Sequence, residues 1–243
     1  MARGGGHGAK PGRKPPRKGA AGTPRKPAGS AARRPAPAPA PQAPPLPAGP
    51  FRLGAIPGAT PGKWIDTWTQ RMPRIRLELV PLEVATQDEA IGVDVDAAIV
   101  RLPVRRDDLH TIALYDEQPV VVCAADSHLT AADELRTDDL AGELLIVPDD
   151  DVLDPRIPGT EAPRFAPLRT TGDAIATVAS GVGIVIVPMS LARLHQRKDV
   201  AVRPLVDGPV SSVALAWPVT GASPLVDTFI GIVRGRTANS SRG

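Results

Sequence analysis

Aromatic residues are scarce in this chain: three Trp, three Phe and one Tyr among 243 residues. Any core must therefore be built from Val, Ile, Leu and Ala. Cysteine is scarcer still. With Cys123 alone, an intramolecular disulfide framework and a multi-cysteine metal site are both excluded. Residues 1–50 lack the apolar stretch of a secretory signal, and no uninterrupted apolar run reaches membrane-spanning length. A cytoplasmic protein without membrane contact is expected. The most uneven absence is of acid. Residues 1–50 hold ten of the 29 Lys and Arg and none of the 26 Asp and Glu, so the overall +3 divides into +10 there and −7 in the remainder. An acidic globule preceded by a basic arm predicts a polyanionic partner for the arm.

The arm also carries thirteen of the 29 prolines and nine of the 23 glycines, and Leu46 is its first large aliphatic residue. Such a segment cannot bury enough apolar surface to offset ordering entropy, which predicts disorder over 1–50. Its first part repeats a basic-proline theme: Arg13-Lys14-Pro15, Arg17-Lys18, Arg25-Lys26-Pro27, Arg33-Arg34. Residues 35–50 are a Pro-Ala spacer favouring polyproline II. Gly12-Arg13-Lys14-Pro15 resembles the AT-hook core, an extended segment that lies in an A·T-rich minor groove. Its flank departs from that pattern, with Lys10-Pro11 where a second arginine would stand. Phosphate contact by counterion release through Arg13, Lys14, Arg17, Lys18, Arg25, Lys26, Arg33 and Arg34 is therefore the preferred mode, with DNA as the partner.

From Phe51 onward the pattern changes to alternating strands and helices. Strands are predicted at 51–56, 75–80, 95–100, 109–115, 119–123, 144–147, 184–187, 200–205 and 213–217. Helices are predicted after Thr60-Pro61 (N-cap and first position), near 86–91, at 130–141, from an N-cap at Thr171, at 190–197, and from Ser223 to Val233. The β-α-β order predicts an α/β domain with largely parallel sheets. One stretch stands out. Thr170 to Pro188 reads as a capped helix, a glycine turn and a strand apolar on both faces. In such sheets, pockets form at strand ends and helix N-termini.

Several local spellings, in this order, resemble the effector-binding domain of LysR-type transcriptional regulators. They are Phe51-Arg52-Leu53-Gly54, Met72-Pro73 leading into Ile75–Leu79, Val95-Asp96-Ala97-Ala98-Ile99, Leu102-Pro103, Asp126-Ser127-His128-Leu129, Ala179–Ile184 closing at Val187-Pro188, and Leu215-Ala216-Trp217. The resemblance covers about residues 51–236. It implies two α/β lobes like those of periplasmic binding proteins, with a small effector between them. Lobe one would be 51–117 plus 213–236, lobe two 118–212, with crossovers near Pro119–Cys123 and Leu205–Val213, and residues 237–243 a disordered tail. The family's N-terminal winged helix-turn-helix has no counterpart in these residues; the basic arm stands in its place. A homodimer through the effector domain is a further implication of the resemblance.

The effector-binding candidates are the Gly58-Ala59-Thr60 turn, Arg101, and the helix start at Thr170-Thr171. Helix amides and threonine hydroxyls suit a small anion, although Asp173 would repel one. Arg101, at the end of a buried strand, can grip an anion in a bidentate way or, as a surface residue, pair with Asp107 or Asp108. Arg105 and Arg106 are read as solubilising, and the Arg193, His195, Arg197, Lys198 cluster as the last turns of a helix. No cofactor, metal or catalysis is expected. His110, His128 and His195 are scattered, Cys123 reads as an inert core thiol, and Cys123 with His128 makes a poor metal pair. Two alternatives to the sensor remain. One is a module acting through a protein partner without DNA. The other is an enzyme on the same fold, using carboxylates or a base such as Asp96, Asp173 or His110.

Overall fold

The chain divides into two units, Met1–Pro44 and Pro45–Gly243. The computed structural model describes residues 49–235, all in the second unit. The basic arm, apart from Gly49 and Pro50, and the 237–243 tail lie outside the described residues.

The first sheet begins with β1 (Phe51–Ala55), joined through α1 (Gly62–Arg71) to β2 (Leu77–Pro81). A short helix α2 (Gln87–Ala90) then leads to β3 (Ala97–Arg101), and β4 (Leu109–Glu117) follows. The strand that closes this sheet, β8 (Ser211–Pro218), arrives from the far end of the sequence, followed by α5 (Pro224–Val233). The strand order is β2-β1-β3-β8-β4. Pairing is parallel across β2-β1-β3 but antiparallel for β8 with β3 and with β4. The three remaining strands, β5 (Pro119–Ala124), β6 (Val185–Pro188) and β7 (Val200–Pro204), form a second sheet in the order β6-β5-β7, antiparallel throughout. Two helices, α3 (Thr171–Val178) and α4 (Met189–Leu194), flank β6. The expectation of largely parallel sheets is thus corrected. The chain leaves the first sheet after β4 and returns to it as β8, which runs antiparallel to both of its neighbours, and the second sheet has no parallel pair.

Scarce aromatics are concentrated where they matter most. Phe51 and Trp68 stack with ring centroids 4.7 Å apart, and Phe229 of α5 lies 5.3 Å from Phe51. All three are fully buried, and they join β1, α1 and α5 in one core. The second sheet is apolar on both faces, as the unbroken β-branched run predicts. Val121, Cys123, Ile184 and Ile186 enter one cluster, while Val120, Val122, Val185 and Val187 enter another on the opposite face.

Four local expectations need correction. No helix spans 130–141. Two 3₁₀ turns, His128–Ala131 and Thr137–Leu140, occupy it instead, the second closed by Asp139 accepting from the Arg136 amide. Residues 144–147 form single bridges, Leu144 to Glu161 and Leu145 to Ile184, rather than a strand. The α1 N-cap is Pro61 without a side-chain bond, so Thr60 stays free of the helix start. At α3 the cap is Thr170, one residue earlier than predicted, and its hydroxyl accepts from the Asp173 amide. Gly183 (φ +63°) holds the turn into β6, where a Cβ would collide with the Leu144 carbonyl oxygen.

Candidate functional site

Where the two sheets meet, a cavity of about 650 Å³ opens. The turn after β1 supplies Gly58, Ala59 and Thr60; the end of β4 supplies Tyr115, Asp116 and Glu117; and α4 supplies Met189, Ser190, Arg193 and Leu194. Each wall has a local cause. The turn closes with the Ala59 amide donating to the Ile56 carbonyl, and Gly58 sits at φ +84°, where a side chain is strained. A bulge in β4 at Leu114 leaves Ala113 opposite Ala214 but Tyr115 opposite Val213. Such bulges re-aim the side chains that follow them. The Met189 amide donates to the Gln118 carbonyl, tying the start of α4 to the link between β4 and β5.

Arg101 is the hub behind this cavity. It is the last residue of β3 and only 3% exposed. Its Nη1 donates to Glu117 Oε2 at 2.6 Å and to Ser211 Oγ at 2.6 Å; Nη2 donates to Ser190 Oγ at 3.3 Å. Gln87, itself buried, fixes the backbone at this point by accepting from the Arg101 amide and donating to its carbonyl. One guanidinium thus binds the end of β4, the start of β8 and the first turn of α4. The sequence expectation that Arg101 is a surface residue paired with Asp107 or Asp108 is corrected. Asp108 is held by Arg106, which also donates to the Asp88 and Ile91 carbonyls. Arg106 therefore braces a loop rather than merely solubilising it.

A second cavity, of about 450 Å³, lies on the other side of Arg101. Its lining includes Gln87 and Asp88 of α2, Arg101 at the end of β3, Arg105 from the connection to β4, and Asp151 and Asp154 from the loop before α3.

The six sequence candidates therefore separate. Gly58, Ala59 and Thr60 line the first cavity, and Arg101 lines the second while holding two residues of the first. Thr170 and Thr171 line neither. Thr170 caps α3, and the Thr171 hydroxyl donates to Asp150 Oδ1 at 2.9 Å. Sequence reading did not find Glu117, Ser190 or Ser211. The available signal was weak: the polar Glu117-Gln118 break between two strands, and the residue two beyond a strand-ending proline. Arg193 belongs to the cavity wall, whereas Arg197 lies past the end of α4 and pairs with Asp199 at 2.8 Å. Burial, and after it the Glu117 charge, pushes the Tyr115 phenol up.

Catalytic candidates do not converge. Asp96 accepts from the Arg52 amide, Asp173 accepts from the Thr170 hydroxyl, and His110 sits against Trp217 with centroids 5.6 Å apart. Burial raises the Cys123 thiol above its usual range, which suits an inert core residue. Among the described residues no group of His, Cys, Asp or Glu could hold a metal ion, and no helix is long and apolar enough to cross a membrane.

The LysR substrate binding domain model matches residues 45–238. The chain belongs to that family. It is 27% identical over 207 residues to the Hca operon transcriptional activator HcaR of Escherichia coli (strain K12), covering 77% of this chain and 68% of that protein. The BenM effector binding domain, solved with its effector benzoate, superposes with a TM-score of 0.63 at 22% identity, over 78% of this chain and 95% of that one. The reduced form of the OxyR regulatory domain from Pseudomonas aeruginosa gives 0.58 at 22% identity, over 77% and 94%. These likenesses establish the two-lobed fold. The relatives are transcriptional regulators and their effector-binding domains, not enzymes.

Proposed function

We propose that this protein is a ligand-responsive transcriptional regulator of the LysR kind. A small effector occupies the first cavity, and the basic arm holds DNA. The observation that carries this reading is the position of Ser190. This α4 residue touches the Gly58 turn on one side and the Arg101 guanidinium on the other, on the wall of a cavity large enough for a small molecule. A ligand that displaces or strengthens that contact changes how the two sheets are held together. The effector class is narrower than a generic anion. Glu117 already neutralises Arg101, so Arg193 and the Thr60 hydroxyl are the groups that would meet an anionic end. Thr170 and Thr171 contribute as supports of α3 in this reading, with no direct contact.

The arm supplies DNA affinity through eight Lys and Arg between Arg13 and Arg34, without strong sequence preference. Family resemblance supports pairing with a second copy through the effector domain, in the cytoplasm where DNA is accessible. Lobe boundaries follow the same reading: 51–117 with 213–236, and 118–212.

The test is a DNA mobility shift at low and moderate salt, comparing the full chain with one lacking residues 1–50. Retention by the full chain alone, falling steeply with salt, supports the arm. Equal retention by both sinks it. Salt-insensitive association with a protein and no DNA retention would favour the module that acts through a protein partner.

A further inference from the structure

The two oxygens of Glu117 differ in what they meet. Oε2 accepts from Arg101 Nη1 at 2.6 Å. Oε1 has no partner among the described residues, yet it is not one of the unpartnered atoms sealed from solvent, which are Asp88 Oδ1 and Arg101 Nε. The Glu117 side chain keeps 9% of its surface exposed, and the residue lines the first cavity but not the second. Oε1 is therefore open to the first cavity. A carboxylate oxygen accepts strongly and cannot donate.

The α4 wall of the same cavity carries the complementary group. Arg193 is exposed, lines the cavity and has no acidic partner among the described residues. Its guanidinium donates and never accepts. An anionic end of a ligand suits Arg193, but nothing in that end answers Glu117 Oε1. In an unliganded chain water serves this oxygen. A ligand that displaces the water without bringing a donor leaves a charged acceptor unpaired, which costs affinity. The cavity, about 650 Å³, has room for a ligand that reaches both groups.

We infer that the first cavity selects small carboxylates that carry a hydrogen-bond donor of their own, a hydroxyl or an ammonium. The donor meets Glu117 Oε1 while the carboxylate meets Arg193. This rests on the reading that an effector occupies the first cavity, and adds to it the rule by which the effector is chosen. Glu117 is then the specificity-determining residue. It also carries occupancy onward, because its other oxygen holds the guanidinium that binds Ser211 of β8 and Ser190 of α4. A donor arriving at Oε1 acts on the same carboxylate that anchors this junction.

The experiment is calorimetric titration of the full chain at millimolar concentration with acids in matched triplets, each a parent acid, its 2-hydroxy form and its 2-amino form. The triplets are propionate, lactate and alanine; succinate, malate and aspartate; and 4-methylpentanoate, 2-hydroxy-4-methylpentanoate and leucine. In at least one triplet a donor-bearing member is expected to bind roughly ten- to one-hundredfold more tightly than its parent, the scale of a hydrogen bond to a charged group. Whichever form binds tighter distinguishes a hydroxy acid from an amino acid. Glu117→Gln should abolish the preference, since its amide oxygen must turn to the Arg101 donor and its N–H groups then face the cavity. If that variant fails to fold, the preference in the natural chain and Arg193→Ala carry the test, the latter expected to weaken every member that binds. Parent acids that bind as tightly as their donor-bearing forms, but are weakened by Arg193→Ala, overturn the inference and leave the effector reading standing. A preference that survives Glu117→Gln overturns the role of Glu117. Binding unchanged in Arg193→Ala places the ligand outside the first cavity and removes the effector reading as well. Binding by no member of any triplet overturns the inference and does not touch the DNA test of the arm.

Discussion

Arg101 and Glu117 form an ion pair at 2.6 Å with both side chains less than one-tenth exposed, at the point where the chain leaves the first sheet. Removing water from both charges is expensive, and their attraction is helped to offset that cost by Ser211 and Ser190, which accept from the two terminal nitrogens of the guanidinium. Glu117→Ala leaves a buried cation without its counter-charge. Urea unfolding of that variant should show a loss of about 3–5 kcal/mol. The double variant Arg101→Met, Glu117→Leu should recover most of it, since a well-packed apolar pair is often no worse than a buried ionic one. A double variant as unstable as Glu117→Ala would mean that Arg101 is needed for its geometry and not only matched in charge.

Gly58 separates two costs that are usually confounded. Its φ of +84° strains any L side chain, and a Cβ there would also lie 2.5 Å from Ser190 Oγ and 2.8 Å from Ser190 Cβ. Gly142 has the same φ of +84° and nothing within 4 Å of its Cβ position. Gly142→Ala should therefore show the backbone strain alone, about 1–2 kcal/mol. Gly58→Ala should cost more, and the excess measures how firmly the turn after β1 presses on α4. Equal losses in thermal unfolding would show that the contact yields freely.

Much of the fold was legible because its signals are local. The doubly apolar runs at Val120–Cys123 and Ile184–Val187, the Ser223 cap and the glycine turn before β6 are written in consecutive residues. The failures are non-local. Residues 144–147 have a strand's composition, yet their partners are Glu161 and Ile184, and only single bridges form. The returning β8, which makes the first sheet mixed, is invisible to any window. The site divides in the same way. Gly58 to Thr60 was readable as a turn, whereas the Arg101 bond to Ser211 spans 110 positions and no pattern announces it.

Trp68 tests whether the aromatic cluster is a core or a surface for stacking. Its ring is fully buried against Phe51 and Phe229, and Nε1 donates to the Ile75 carbonyl at 2.9 Å. Trp68→Ala should cost about 3–5 kcal/mol, the range for deleting a large buried aromatic. Trp68→Phe keeps most of the apolar contact and loses the hydrogen bond, for about 1 kcal/mol beyond the smaller ring. Near-normal stability of the alanine variant would remove α1 from the core.

Asp151 gives the pH dependence a sign. Burial pushes its carboxyl up, more than the Leu153 and Asp154 amides pull it down. In the folded chain the acid therefore takes up its proton at higher pH than in the unfolded chain, whose value is about 3.9. When pH falls through the raised folded value, the native state binds the proton first, and stability rises with acidification from this group. The gain stops once the unfolded chain is protonated as well. Above the folded value the ionised carboxylate is a net burden. Asparagine keeps an oxygen to accept from the two amides but cannot ionise. Asp151→Asn should thus melt above the natural chain near neutral pH, with the difference shrinking as the pH approaches about 4. Taking the difference between the two proteins cancels the other titrating groups. A melting-point difference that stays constant with pH, or has the opposite sign at neutrality, would show that the Asp151 charge is stabilised where it stands.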